Sequence, residues 1–256
     1  MDYWEFPRCR EAFALGQADA RPEVIDGCYY RRRGRTHRHM TLLSFEDANQ
    51  VWAQMQGLAQ EGARVQCVNY TKPMPVLPGD AWTRKGPVEW WTSDFPAVFA
   101  AATGSHGKRL RQYARQASVG PAPTLQEAIG VFDRWAEWAK TRHFMVFKGH
   151  YLKWLRMYYD DPGNCKVVGV YVKGALQGLF GWETVGDTTQ ITIAKHTEEL
   201  EGKALWVTGL MAIGAQKKVL CGSTADKLKL ELGLTPMPSW TFDLSKLNSA
   251  RKQDAT

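Results

Sequence analysis

Between Lys166 and Leu244 the chain switches hydrophobic period in an order that few folds accommodate. Lys166–Val172 and Ala175–Trp182 alternate with period two around Lys173–Gly174, which reads as a hairpin, and Thr188–Ala194 supplies a third strand. Gly202–Ala215 then takes helical spacing, Lys218–Cys221 is a short apolar run, Thr224–Leu232 is helical again, and Trp240–Leu244 returns to alternation. Elements ordered in this way bury their apolar faces only when helices lie against a sheet. The expected architecture is α/β of the α+β kind, a mixed sheet flanked by helices.

Upstream, a smaller α/β lobe is expected over residues 1–90. Cys28–Leu43 reads as two β-rich arms around Gly34, and Ala48, Val51, Trp52, Met55, Leu58 and Ala59 recur at helical spacing after Ser44 as cap. Val65–Tyr70 reads as a strand, while the prolines and glycines of Lys72–Pro87 predict a loop. Residues 91–245 form the expected second domain and 246–256 a polar tail. Within that domain Phe95–Ala102 starts a helix that Gly104 and Gly107 interrupt, Lys108–Ala117 is a basic helix, and Gly120–Pro123 is a linker. Thr124 then caps a helix with Leu125, Ala128, Phe132, Trp135 and Ala139 on one face, and Tyr151–Tyr159 is a shorter one.

With 256 residues, 44% of them hydrophobic, the chain can bury one large core or two modest ones. No run of about twenty apolar residues is present and the first residues lack the order of a signal peptide, so a soluble cytoplasmic protein is expected. The five cysteines are odd in number, scattered and never in a CxxC pair, which predicts reduced thiols and no metal site. A net charge of +7 and eleven tryptophans suit a nucleic-acid partner, since cations attract phosphates and rings stack on bases; they equally suit a solvated basic surface.

The stretch Val167–Phe242 resembles the back half of the GNAT acyltransferase fold. Glu199–Ala204 sits where that family opens a helix with a glycine-rich loop, with Gly202 and Ala204 at its small-residue positions, and Leu230–Leu234 is similar to the phrase in which a helix stops at glycine before the last strand. The resemblance implies an acyl-coenzyme A donor whose pyrophosphate meets bare backbone N–H groups, with Lys195, Gly202, Lys203 and Ala204 around it. Glu199 replaces the family's Gln or Arg, and Glu198 and Glu201 flank it, so three carboxylates oppose a pyrophosphate while Lys195, Lys203 and His196 partly offset them. The whole chain also resembles the two-lobed FemABX-like aminoacyltransferases and lysyltransferase domains, on Lys108–Arg115, the helix before the hairpin, His196–Leu200 and Cys221–Thr224. That resemblance implies an aminoacyl-tRNA donor, a basic surface and no required cofactor; acyltransferase-like enzymes that modify bases in viral DNA share these traits. It leaves open that the N-terminal lobe is a degenerate second GNAT-like half.

Amine acylation needs a proton acceptor and donors for the tetrahedral oxyanion. Glu183 and His196 are the candidate bases, with Asp187 third. Gly222–Asp226 opens a helix after a short strand, so Ser223 and Thr224 can hydrogen-bond the reacting carbonyl and Asp226 can hold Lys229 or the amine; a plain N-cap is the structural alternative. Lys108, Arg111 and Arg115 share a helix face with Arg109 beside it, and Arg31, Arg32, Arg33 and Arg35 crowd the expected turn; both clusters suit a phosphate backbone or plain solvation. His150 and Tyr151 are candidate substrate contacts. The catalytic reading requires Thr188–Ala194 and Lys218–Cys221 to splay apart. Two functions follow: acyl or aminoacyl transfer to an amine with a nucleic-acid-borne donor or acceptor, or a nucleic-acid-binding module that has lost the chemistry.

Overall fold

The computed structural model describes residues 6–14, 20–34, 39–70, 73–142, 148–222 and 226–247. They fall into two compact units, Met1–Glu89 with Pro236–Thr256, and Trp90–Thr235.

In the first unit a short helix α1 (Pro7–Ala14) precedes β1 (Ala20–Ile25), β2 (Cys28–Arg33), β3 (His39–Phe45), α2 (Ala48–Gln60), β4 (Arg64–Tyr70) and the first part of β5 (Trp82–Thr92), whose residues from Trp90 on belong to the second unit. Strand β1 is additional to the expected arms. It pairs antiparallel with β2 through Asp26 and Gly27, at φ 44° and 72°, the left-handed conformations that a two-residue hairpin demands. Helix α2 starts one turn later than Ser44 suggests: Asp47 is its N-cap, accepting the Asn49 N–H at 2.8 Å, while Ser44 remains in β3. Val51, Met55 and Leu58 turn inward, and β3 and β4 on either side run parallel, as a helical crossover requires. The expected loop over Lys72–Pro87 is only partly one, because β5 begins at Trp82 and runs through Pro87. Trp82 explains this: its ring packs edge-on against Tyr70 and Phe242, and that burial outweighs the local breakers.

The second unit contains α3 (Phe95–Ala101), α4 (Gly104–Ala114), β6 (Ser118–Gly120), α5 (Leu125–Thr141), α6 (Lys148–Asp160), β7 (Cys165–Val172), β8 (Ala175–Val185), β9 (Thr188–His196), α7 (Gly202–Ile213), β10 (Lys218–Leu220) and α8 (Asp226–Glu231). Its strands lie in the order β10-β9-β8-β7-β6, and Trp91 and Thr92 pair with the far side of β10. The β10–β9 pair is parallel and the rest are antiparallel, so the sheet is mixed as expected. Thr124 and Glu127 form a reciprocal capping box at the start of α5. Gly107 lies inside α4 instead of interrupting it, because a Cβ there would sit 2.2 Å from the Ala102 carbonyl oxygen and only glycine lets the chain close on itself.

Phe132 of α5 and Leu155 of α6 cluster with Leu179 and Ile193 on one face of the sheet. Phe180, the neighbour of Leu179 and so on the opposite face, packs edge-on against Trp206 of α7. The final strand, β11 (Thr235–Asp243), pairs antiparallel with β4 and so completes the first unit instead of the stretch 91–245. Among the described residues no helix is long and apolar enough to cross a membrane, and no three His, Cys, Asp or Glu side chains are grouped to hold a metal ion. Cys28, Cys67, Cys165 and Cys221 are buried, and burial pushes the Cys67 thiol well above its ordinary range.

Candidate active site

Strand β10 is only three residues long, and this sets the site. Lys218, Val219 and Leu220 pair with Thr188, Thr189 and Gln190; β9 then continues from Ile191 to His196 without it. Strand β10 is thus paired with β9 along its whole length and does not show the expected splay; beyond Leu220 it ends and β9 continues without it. A register shift between Gly181 and Trp182 places a bulge at Thr192, the residue in β9 that no partner on β8 opposes. At that end the side chain of Gln190, fully buried, spans both strands: its Nε2 donates to Ile191 O at 2.9 Å and to Leu220 O at 3.4 Å. Gln190 takes the place of the next rung. Glu183 is its direct cross-strand neighbour, 2% exposed, with Cys165 on its other side. As the sequence pattern suggests, Glu183 stands at the open end of the β7–β8 hairpin, near the end of β8 and on the face that α5 and α6 cover.

The far end of β9 carries two basic side chains. The Lys195 Nζ lies 4.0 Å from the Trp135 ring centroid and 4.4 Å from that of Tyr151, held between α5 and α6. Burial lowers its pKa to about 8. His196, the next residue, packs at a tilt against Trp138, with ring centroids 5.1 Å apart, and sets its Nδ1 2.8 Å from the Thr197 carbonyl. A carbonyl only accepts, so Nδ1 carries the proton and Nε2 is the acceptor nitrogen of the neutral ring. Burial lowers the His196 pKa, hydrogen bonding to the Thr197 backbone pulls the other way, and the charge of Lys195 adds to the lowering. Beside these residues an open groove of about 530 Å³ runs between Asp133, Arg134, Glu137 and Trp138 on α5 and the turn Thr197–Glu199. Tyr151, expected as a substrate contact, is therefore a wall of the lysine site. Asp187 lies at the opposite end of β9, paired with Lys217 at 2.6 Å.

The start of α7 does not fit a coenzyme A pyrophosphate. A Cβ on Gly202 would lie 3.2 Å from His196 Nε2, so the imidazole occupies the space that a bare glycine would leave to an anion. Glu198, Glu199 and Glu201 are exposed around it, and Glu201 is the N-cap without a side-chain capping bond. Lys203 is committed elsewhere, paired with Glu231 of α8 and 5.6 Å from the Tyr113 ring, and Ala204 is fully buried.

Just past the end of β10, Lys229 of α8 is fully buried and its Nζ donates to Gly222 O at 2.6 Å. Sequence reasoning finds Lys229 only as a partner for Asp226. Lys108, Arg109, Arg111 and Arg115 are all accessible on α4 and its C-cap, whose inner face is Gly107 and Leu110; Arg111 also donates to Ala102 O at 3.1 Å. Arg31, Arg32 and Arg33 are strand residues of β2 instead of turn residues, and Arg32 Nε pairs with Glu23 at 2.7 Å. Arg35, Ser223, Thr224 and the side chains of His150 and Asp226 lie outside the described residues. Gln190 escapes a reading of the sequence: one glutamine in an otherwise regular strand is a weak signal unless the partner strand's end is known.

No protein-family model matches the sequence and no curated protein matches it. Solved structures do match. A conserved protein of unknown function from Bacteroides thetaiotaomicron superposes with a TM-score of 0.66 at 12% identity, over 95% of this chain and 90% of that one. The C-terminal domain of a putative lysylphosphatidylglycerol synthetase from Agrobacterium fabrum gives 0.63 at 14% identity, over 99% and 90%. FemX gives 0.63 at 8% identity, over 95% and 94%. These likenesses span nearly the whole of each chain, and they show that this chain has the GNAT-like fold that FemX and the lysylphosphatidylglycerol synthetase domain share.

Proposed function

We propose that this protein is an acyltransferase that moves an acyl or aminoacyl group from a nucleic-acid carrier to an amine. The observation that carries the reading is the start of α7, where His196 fills the space above Gly202 and three glutamates surround it, so that a coenzyme pyrophosphate is disfavoured. A carrier RNA needs no such cradle. It needs cations along its backbone, and the stripe Lys108, Arg109, Arg111 and Arg115 provides them on α4. The fold shared with FemX and the lysylphosphatidylglycerol synthetase domain agrees with this reading.

In the reaction an ammonium loses its proton to a base at the end of β9. The freed amine lone pair adds to the ester carbonyl, and the tetrahedral oxyanion collapses with expulsion of the ribose hydroxyl oxygen, which takes a proton back. His196 and Lys195 suit the first role, because burial biases both toward the neutral form that accepts a proton. Lys229, a buried cation just past the end of β10, suits the oxyanion. The test is incubation with charged tRNA, and separately with acyl-coenzyme A, followed by mass analysis for a new amide. His196→Ala should lower kcat by about 10²–10⁴-fold; unchanged turnover would remove His196 from the base role. Salt-dependent RNA binding without any amide would favour the binding-module reading instead.

A further inference from the structure

Helix α5 carries part of its charge against the grain of the molecule. Asp133 and Glu137 stand at i, i+4, a like-charge spacing that disfavours a helix, and the turn after β9 adds Glu198 and Glu199 across from them. In a chain of net charge +7 these four carboxylates line one open groove of about 530 Å³, a size that suits a small molecule. The cations nearby do not cancel them. Arg134, the basic residue of the lining, donates to Leu176 O at 2.8 Å, and Lys140 pairs with Glu137 at 2.8 Å. Hydrogen bonding to Thr197 and to its own backbone holds the Glu199 carboxyl below its ordinary range, so it stays ionised at neutral pH.

The groove adjoins the proposed reaction centre. Trp138 supplies an apolar part of its wall and packs against the His196 ring. Thr197, also in the lining, holds His196 Nδ1 through its carbonyl, while its hydroxyl donates to Gln177 Oε1 at 2.6 Å. A ligand in the groove therefore lies one side chain away from the imidazole. Phosphates are repelled by this lining, so neither the nucleic-acid carrier nor a coenzyme suits it. An apolar chain that ends in a positive charge does.

We propose that this groove binds the acceptor and that the acceptor is an aliphatic diamine: one amine reacts at His196, and the other, as an ammonium, sits between the carboxylates of α5 and those of the turn. The methylenes between them lie against Trp138. This rests on the acyl-transfer reading and names its acceptor class. The reacting ammonium gives one proton to His196 Nε2, its lone pair forms the C–N bond as the ester C–O bond breaks, and the leaving ribose oxygen takes that proton. The distal ammonium keeps its charge throughout.

Calorimetric titration of the full chain with cadaverine and with pentylamine, which has the same carbon chain and one amine fewer, tests the groove without turnover. Cadaverine should bind at least about fivefold more tightly, beyond the statistical advantage of its two ends, and the difference should shrink as salt rises. Combining Glu198→Gln with Glu199→Gln, two exposed positions that the fold tolerates, should bring the two affinities together. Equal affinities in the native protein, or no cadaverine binding, overturn the inference and leave acyl transfer to another amine standing. A double variant that keeps the full preference overturns it as well, because the second ammonium then sits elsewhere. Charged tRNA added to the cadaverine complex should yield the mono-acylated diamine by mass. Preferential cadaverine binding with no amide from any charged tRNA would keep the ligand class of the groove but reject its acceptor role, together with the acyl-transfer reading.

Discussion

Replacing Lys195 by methionine should make the protein more stable near neutral pH while impairing any proton transfer at the end of β9. Burial holds the ammonium at about 8 against an ordinary 10.5. At 1.36 kcal/mol per tenfold, keeping that charge in place costs about 3 kcal/mol below pH 8. The faces of Trp135 and Tyr151 at 4.0 and 4.4 Å offset about 0.5–1 kcal/mol each. A methionine, similar in length and uncharged, should therefore recover about 1–2 kcal/mol, toward the lower end because the side chain is only half-buried and solvent screens part of the penalty. The pH dependence has a definite sign. The unfolded lysine stays protonated up to about 10.5 and the folded one only up to about 8, so within that window the unfolded state binds more protons and native stability rises with pH. Urea denaturation of both proteins should give Lys195→Met the higher midpoint at pH 7, with the gap closing toward pH 10. A variant that is no more stable at pH 7, or a gap that ignores pH, would refute the reasoning.

Two further predictions concern packing and charge. A Cβ on Gly209 of α7 would lie 2.3 Å from the Phe180 ring, so Gly209→Ala should lower stability by about 1–3 kcal/mol, whereas Gly130→Ala on α5, with nothing within 4 Å, should raise it by about 0.5–1 kcal/mol; thermal melts distinguish the two. Changing Lys108, Arg109 and Arg115 together to glutamine should flatten the dependence of log affinity for single-stranded RNA on log salt by about 2, at about 0.7 for each phosphate no longer neutralised; an unchanged slope would place the RNA elsewhere.

The legible parts of this fold are those whose causes are local. Thr124 and Glu127 announce the start of α5 because both halves of the capping box lie within one turn, and Lys173–Gly174 announces the β7–β8 hairpin because φ values of 49° and 81° suit few other pairs. Asp26–Gly27 carries the same hairpin chemistry but is easily passed over, since Arg21, Pro22 and Glu23 give β1 no apolar alternation and it is held by β2 instead. Strand β5 is hidden by Gly86 and Pro87, and only the distant Tyr70 and Phe242 around Trp82 account for it. The candidate site divides in the same way. His196 and Lys195 are recognisable as residue types at a strand end, yet the rings that enclose Lys195 come from two helices far along the chain. Gln190 acquires its role only because β10 stops at Leu220, and nothing near residue 190 records that.

The return of β11 to β4 has a consequence for how the chain is made. Residues 90–235 leave the ribosome with everything their own unit needs, while the earlier residues wait for the segment 236–243 before β4 is covered. The half synthesised first is thus the half finished last. Until then one side of β4 offers its backbone groups to any passing strand. Slow synthesis or premature termination beyond residue 235 should therefore expose the protein to aggregation through its N-terminal part, even with the second unit already folded.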